Sequence, residues 1–329
     1  MTDPDPGRVA ALVDGIRSGD RRALARAITT VESTRADHRD EAVALLDALL
    51  PDTGRAVRIG ISGPPGVGKS TFIEAFGLHL VESGHRIAVL AVDPSSSRTG
   101  GSILGDKTRM EELGRHPDAF IRPTPGGSQL GGVARRTREA MLLCEAFGFD
   151  VVIVETIGVG QSEVAVADMV DLFVLLVSPG GGDELQGIKR GIMELADLVV
   201  VNKADGDLAA AAGRTAGDYA NALHLMRPKW PDWTAKALQC SALTRAGIAE
   251  VWAAVAEFRA TVDADGSLEQ ARSAQAIAWM WSEVRDDLVD AFRDHPKVHT
   301  LLPKLEADVA SGRISPTAAA RRLLEAFSS

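Results

Sequence analysis

Between Val57 and Ser241 the chain carries six short runs rich in Val, Ile and Leu: VRIGIS (57–62), RIAVLAVD (86–93), DVVIVET (150–156), DLFVLLV (171–177), DLVVVN (197–202) and KALQCS (236–241). Most lack polar alternation, which is how strands read when helices cover both faces of a sheet. Apolar strands alternating with amphipathic stretches specify βαβ units, and so an α/β fold with a doubly wound, mostly parallel sheet. Such sheets bind ligands outside the carboxyl ends of their strands. Chemistry is therefore expected in the residues that follow each run.

The flanks are helical. Val9, Leu12, Val13 and Ile16, then Leu24, Ala27, Ile28 and Val31, then Ala42, Leu45, Leu46 and Leu49 recur at helical spacing and predict two or three helices ahead of Pro51-Asp52-Thr53-Gly54. Beyond about residue 261 no further strand pattern occurs. Ile277, Trp281, Val284, Leu288 and Ala291 form a stripe spaced by alternating fours and threes, and a last helix is predicted from about Thr317 to Phe327. The expected division is a helical extension over 1–54, an α/β domain over 55–260 and a helical arm over 261–329. About seventy residues in two or three helices bury too little alone, so the arm must pack on the main domain or on another subunit. His295 and His299, with Pro296 between them and no third ligand near, read as a helix end rather than a metal site. Trp279 and Trp281 read as packing or subunit contacts.

Composition excludes several classes. Lys plus Arg number 36 against 45 Asp plus Glu, a net charge of -9, and there is one Tyr, so no basic, aromatic-interleaved face is present and nucleic acid is not an expected partner. Apolar runs such as Leu172 to Val177 fall short of the roughly twenty residues of a membrane span, so no membrane association is expected. The segment MTDPDPGRVAALV has no basic n-region followed by an apolar stretch, so no secretory signal is read. Cys144 and Cys240 lie far apart and outside any CxxC or Cys/His cluster, which fits a reducing, cytoplasmic setting.

Directly after the first run stands Gly63-Pro64-Pro65-Gly66-Val67-Gly68-Lys69-Ser70-Thr71, which satisfies GxxxxGK[ST] between a predicted strand and a predicted helix. Its glycines let backbone N–H groups converge on phosphates, and the helix start adds its positive end. Lys69 is expected to bridge the β and γ phosphates and the Ser70 hydroxyl to ligate Mg2+. The fifth run ends in Asn202-Lys203-Ala204-Asp205, an NKxD sequence. The Asp205 carboxylate accepts from both guanine N1–H and the exocyclic amine; adenine lacks that donor pair and leaves the carboxylate desolvated and unpaired. Asn202 ties loops together and the Lys203 stem covers the base. Ser241-Ala242-Leu243, after the sixth run, matches the supporting loop whose backbone N–H reaches guanine O6.

Glu155-Thr156-Ile157-Gly158 closes the third run where a GTPase carries DxxG. A carboxylate there holds the hydration shell of Mg2+, and the Gly158 N–H approaches the γ-phosphate. Val159 follows, so the usual water-positioning glutamine is absent; Gln161 is the candidate in its place, and slow basal hydrolysis is expected. Asp93, which ends the second run, and Asp106, in the polar stretch 94–110, are candidate metal-holding groups. A helix cap and a solvated charge are the competing readings. Lys189 follows the hinge-like SPGGG stretch at 178–182 and is a candidate charge that swings toward the phosphates. A solvent-facing lysine at a helix start competes with that role.

Together, GPPGVGKST (63–71), VDPSS (92–96), GGSILGDKTRM (100–110), ETIGVGQSE (155–163) and NKAD (202–205) resemble the MeaB/ArgK/MMAA family of P-loop GTPases, and the resemblance covers nearly the whole chain. It implies a SIMIBI-class P-loop GTPase domain with N- and C-terminal helical extensions, GTP/GDP as ligand and Mg2+ as cofactor. It also implies a chaperone for adenosylcobalamin-dependent methylmalonyl-CoA mutase, with GTP binding and hydrolysis coupled to cofactor loading, protection and reactivation. A homodimer joined through the C-terminal helices is implied as well. Three readings compete. A nickel-insertion GTPase normally brings a Cys/His metal motif, which the sequence lacks. A nucleotide-dependent kinase linked to transport needs an acceptor pocket and usually ATP, which NKAD opposes. A non-hydrolysing guanine-nucleotide scaffold is favoured by the missing glutamine.

Overall fold

The computed structural model describes residues 5–33, 35–92, 110–124, 130–156, 162–180 and 190–328. Strands β1 (Val57–Ser62), β2 (Ile87–Val92), β3 (Ala119–Thr124), β4 (Val151–Thr156), β5 (Leu172–Val177), β6 (Leu198–Val201) and β7 (Lys236–Gln239) form one sheet in the order β3-β2-β4-β1-β5-β6-β7. Every neighbouring pair is parallel. The chain passes from β1 over β4 to β2, returns at β4 and crosses β1 to β5. The order thus reverses at β1, and the crevice of a doubly wound sheet opens at its carboxyl end. All residues of β2, β4 and β5 are buried, which explains why β2 and β5 are apolar throughout and β4 up to its last two residues.

β3 is not among the six expected runs. Its sequence, AFIRPT, carries Pro123, which breaks a strand pattern yet is tolerated on a sheet edge, and β3 is an edge. Ile87 N–H donates to Asp118 O at 2.8 Å, so the alternate residues Ala119, Ile121 and Pro123 turn their main-chain groups outward. β7 ends at Gln239, leaving Cys240 and Ser241 of the sixth run in the following loop.

Three helices precede the sheet: α1 (Pro6–Arg17), α2 (Arg21–Glu32) and α3 (Ala36–Leu49). Asp5 and Asp20 cap the first two by accepting from Gly7 N–H and Arg22 N–H. Ile16, Leu24, Ile28, Leu45 and Leu49 are buried among them. Arg21 of α2 donates to Pro117 O and Ala119 O at the outer side of β3.

The sheet is flanked by α4 (Lys69–Glu82), α5 (Glu111–Arg115), α6 (Leu130–Phe147), α7 (Ser162–Ala167), α8 (Arg190–Met193), α9 (Ala209–His224) and α10 (Ile248–Ala264). Ile59 and Ile61 of β1 share one apolar cluster with Phe72 and Phe76 of α4 and Val255 and Phe258 of α10. On the other face, a Cβ at Gly60 would lie 2.9 Å from Val166 Cγ1, so α7 rests close against the β1 backbone.

Below the sheet, at the amino ends of β1 and β5, lies a buried ion cluster. Asp171 Oδ2 accepts from Arg58 N–H at 2.9 Å and from Arg272 Nη2 at 2.6 Å, while Oδ1 accepts from Arg272 Nε at 2.8 Å. Arg272 also donates to Gly54 O and Ala56 O. Arg58 Nε in turn pairs with Glu145 Oε1 at 2.5 Å.

Arg272 lies on α11 (Ser267–Asp294), which is followed by α12 (Pro296–Ala310) and α13 (Pro316–Ser328). The chain forms two compact units, Met1–Ser273 and Ala274–Ser329. In the second, Val298, Leu305 and Ala319 are buried, and Phe327 meets the rings of Phe292 and His295 edge-on at 5.3 Å. His295, at the N-cap position of α12 without a side-chain capping bond, is thus a packing residue. Ile277, Met280, Trp281, Val284 and Leu288 are 40–58% exposed. No described helix is long and apolar enough to cross a membrane.

Candidate functional site

The carboxyl end of β1 runs into a loop whose shape requires its glycines. A Cβ at Gly63 would lie 2.4 Å from Leu176 O of β5, and Gly68 has φ +91 at the start of α4, a left-handed conformation natural to glycine. The loop therefore lies against β5 and turns directly into the amino end of a 14-residue helix, where orphan N–H groups and the helix dipole favour an anion.

Lys69 Nζ donates to Gly63 O at 2.7 Å and to Pro64 O at 3.3 Å, folded back over its own loop. Burial pushes its ammonium below the ordinary lysine range, and the carboxylates of Glu155 and Glu163 oppose that shift. Next to it, Ser70 Oγ donates to Glu155 Oε1 at 3.5 Å. Two hard oxygen donors brought together from α4 and β4 suit Mg2+, which takes one or two protein oxygens and keeps several waters.

On the other side of the loop, Asn202 joins three segments. Its Nδ2 donates to Val67 O at 2.9 Å, and its Oδ1 accepts from Ala242 N–H at 3.1 Å. Lys203, in the left-handed region at φ 61, donates from Nζ to Gly66 O at 2.6 Å. Ala204 N–H donates to Cys240 O, and Ser241 Oγ accepts from Thr244 N–H, which shapes the loop carrying Ala242. Asp205 is half-buried next to this junction and Leu243 is exposed.

Cys240 is buried beside Asn202, with Sγ 3.7 Å from Oδ1, and burial pushes its thiol up to about 12; burial also raises the Cys144 thiol. A raised acid pKa keeps the unreactive thiol form across neutral and mildly alkaline pH. A disulfide-exchange dye at pH 8 is therefore expected to titrate neither cysteine rapidly in the folded chain and both in guanidinium. Rapid reaction of a native thiol would contradict the packing around it.

The structure thus gathers Lys69, Ser70 and Glu155 at one end and Asn202, Lys203, Asp205 and Ala242 at the other, joined through the loop of Gly63 to Gly68. Asp93, Asp106, Gly158, Gln161 and Lys189 lie outside the described residues. Glu163, buried in the first turn of α7 and acting on Lys69, was not picked out by motif reading, although it ends the ETIGVGQSE block.

Comparison with known proteins agrees with this geometry. The family model described as methylmalonyl Co-A mutase-associated GTPase MeaB matches residues 24–297. A putative GTPase of Caulobacter vibrioides is 61% identical over 310 residues, covering 94% of this chain and 95% of its own length. The methylmalonic aciduria type A homolog, mitochondrial, of Mus musculus is 49% identical over 339 residues, covering 100% of this chain and 82% of its own. A crystal structure of LAO/AO transport system kinase superposes with a TM-score of 0.77 at 39% identity, covering 99% of both chains. The chain is a GTPase and belongs to the MeaB family of methylmalonyl Co-A mutase-associated GTPases.

Proposed function

We propose that the chain is a Mg2+-dependent GTPase that acts as a chaperone of adenosylcobalamin-dependent methylmalonyl-CoA mutase, with its nucleotide state coupled to cofactor loading, protection and reactivation of the mutase. The observation that carries the guanine-nucleotide part is the pair of hydrogen bonds by which Asn202 donates to Val67 O and accepts from Ala242 N–H, tying the phosphate loop to the base loop. The mutase part rests on the description of the matching family and on the name of the murine relative.

In this reading Lys69 leaves the Gly63 and Pro64 carbonyls for the β and γ phosphates, and the loop N–H groups from Gly66 to Thr71 hold the phosphate oxygens. Asp205 pairs with guanine, the Lys203 stem lies on the base, and the loop of Ser241, Ala242 and Leu243, held by Asn202, supplies the backbone N–H that reaches O6. Ser70 and Glu155, with Asp93 and Asp106, would hold Mg2+, which when bound neutralises charge on the triphosphate. Gln161 orients water, the Gly158 N–H meets the γ-phosphate, and Lys189 adds positive charge when its segment closes. Basal turnover is slow because this last set is completed by a partner.

The exposed stripe of Ile277, Met280, Trp281, Val284 and Leu288 supports a homodimer through the C-terminal helices, since a contiguous apolar face of this kind marks an interaction surface. Two buried cysteines without a disulfide support a cytoplasmic setting.

Linkage requires a partner that reads the nucleotide state to change its turnover. Adding methylmalonyl-CoA mutase is expected to accelerate GTP hydrolysis at least about tenfold, within the range known for GTPase activation. Unchanged turnover across a full titration would remove the mutase from the proposal. Running the same assay with ATP separates a transport-linked kinase, the name carried by the solved relative, from a guanine-specific switch.

A further inference from the structure

Two hydroxyl groups to which the motif reading gives no role stand at the root of the nucleotide site. Ser62 is the last residue of β1, immediately before Gly63, and Thr156 is the last residue of β4, immediately after Glu155. The final main-chain pair between these strands is Ile61 with Glu155. One residue further on, Thr156 Oγ1 donates to Ser62 Oγ at 2.8 Å, and both side chains are at most 1% exposed.

The alternation of side chains along a strand places the pair on a definite face. Glu155 shares its face with Ile61, and it is this carboxylate that meets Ser70. Ser62 and Thr156 occupy the opposite face, the one on which Gly60 receives α7. The end of β4 is therefore held twice, by a carboxylate toward α4 and by a hydroxyl pair toward α7.

Packing alone does not call for these hydroxyls. Val152 and Val154 precede Thr156 on the same face, and a valine would fill its place with nearly the same volume. A hydroxyl pair in a dry site carries a desolvation cost, and what it adds over methyl groups is a short, directional tie. Here that tie fixes the distance between the start of the phosphate loop and the end of β4.

We propose that Thr156, acting through Ser62, is a positioning residue for GTP hydrolysis, holding Glu155 at a fixed distance from the phosphate loop. The inference rests on the reading of that loop as the phosphate site and of Glu155 as serving the γ-phosphate end. Binding of GDP does not depend on the tie, because Asn202 joins the phosphate and base loops independently.

The test uses the full chain, single-turnover GTP hydrolysis at saturating Mg2+, and GDP affinity from a fluorescent analogue. Thr156→Val is expected to slow hydrolysis at least about tenfold, the scale on which a misplaced reacting group is felt, while GDP affinity changes less than about threefold. Thr156→Ser should recover the rate to within about threefold, because it restores the donor. Ser62→Ala, which adds no bulk and serves where Thr156→Val folds poorly, should give the same loss, and the double variant no more than either alone. Wild-type turnover in Thr156→Val, no recovery in Thr156→Ser, additive losses, or a parallel loss of GDP affinity would each overturn the proposal. Lys69→Ala separates it from the reading beneath it. If that variant binds GTP as tightly as the parent, the phosphate-site reading fails and the positioning role fails with it. If Lys69→Ala weakens GTP binding and Thr156→Val hydrolyses normally, only the positioning role fails.

Discussion

Replacing Asp205 by asparagine is expected to lower GTP affinity by about 100- to 1000-fold, some 3–4 kcal/mol, the scale of two charge-assisted hydrogen bonds lost in one pocket. The carboxylate offers two acceptors to the two donors on the guanine edge, whereas an amide offers one acceptor and one donor. The amide instead matches a base with a 2-oxo group, so xanthosine triphosphate should gain as GTP loses. The phosphate loop and its tie through Asn202 are left intact, so the exchange concerns the base alone. Displacement of a labelled guanine nucleotide by GTP, xanthosine triphosphate and ATP measures all three preferences. Unaltered GTP affinity in Asp205→Asn would place the base elsewhere.

Asp171→Ala is expected to cost about 3–5 kcal/mol of stability, the range for breaking a buried ion pair from one side. The substitution leaves the Arg272 guanidinium and the Arg58 N–H without the carboxylate they share. At about 2–4 °C per kcal/mol for a domain of this size, the midpoint of thermal unfolding should fall by about 6–20 °C. Because the cluster is buried, added salt should not close the gap between variant and parent. Asp171→Asn, which keeps one acceptor, should fall between them. A melting curve for Asp171→Ala that overlays the parent would show that the cluster adds no net stability.

What could be read in advance follows from how local each signal is. β1, β2, β4, β5 and β6 announce themselves because burial on both faces leaves predominantly apolar runs without polar alternation, and the phosphate loop does so because its backbone shape admits only glycine at certain positions. β3 was illegible because Pro123 breaks the pattern that defines a strand, and only its edge position makes the residue acceptable. The hydroxyl pair of Ser62 and Thr156 joins residues 94 apart, and Asp171 meets Arg272 across 101. Neither pairing has any local trace, since it exists only once β1 has paired with β4 and β5. Glu163 was in plain view within a recognised block, but its action on Lys69 depends on where α7 turns back over the sheet.

The outer side of β3 has a bearing on self-assembly. A row of open main-chain groups along a sheet margin is a template on which a foreign strand can zip. Here Ala119 N–H is already given to His116 O, Ala119 O is taken by Arg21, and Pro123 has no N–H to offer. Ala119 is thereby closed on both its groups, one of them by a guanidinium borne on α2, and Pro123 has lost its donor. The docked N-terminal helices thus make this margin a poor template for a foreign strand.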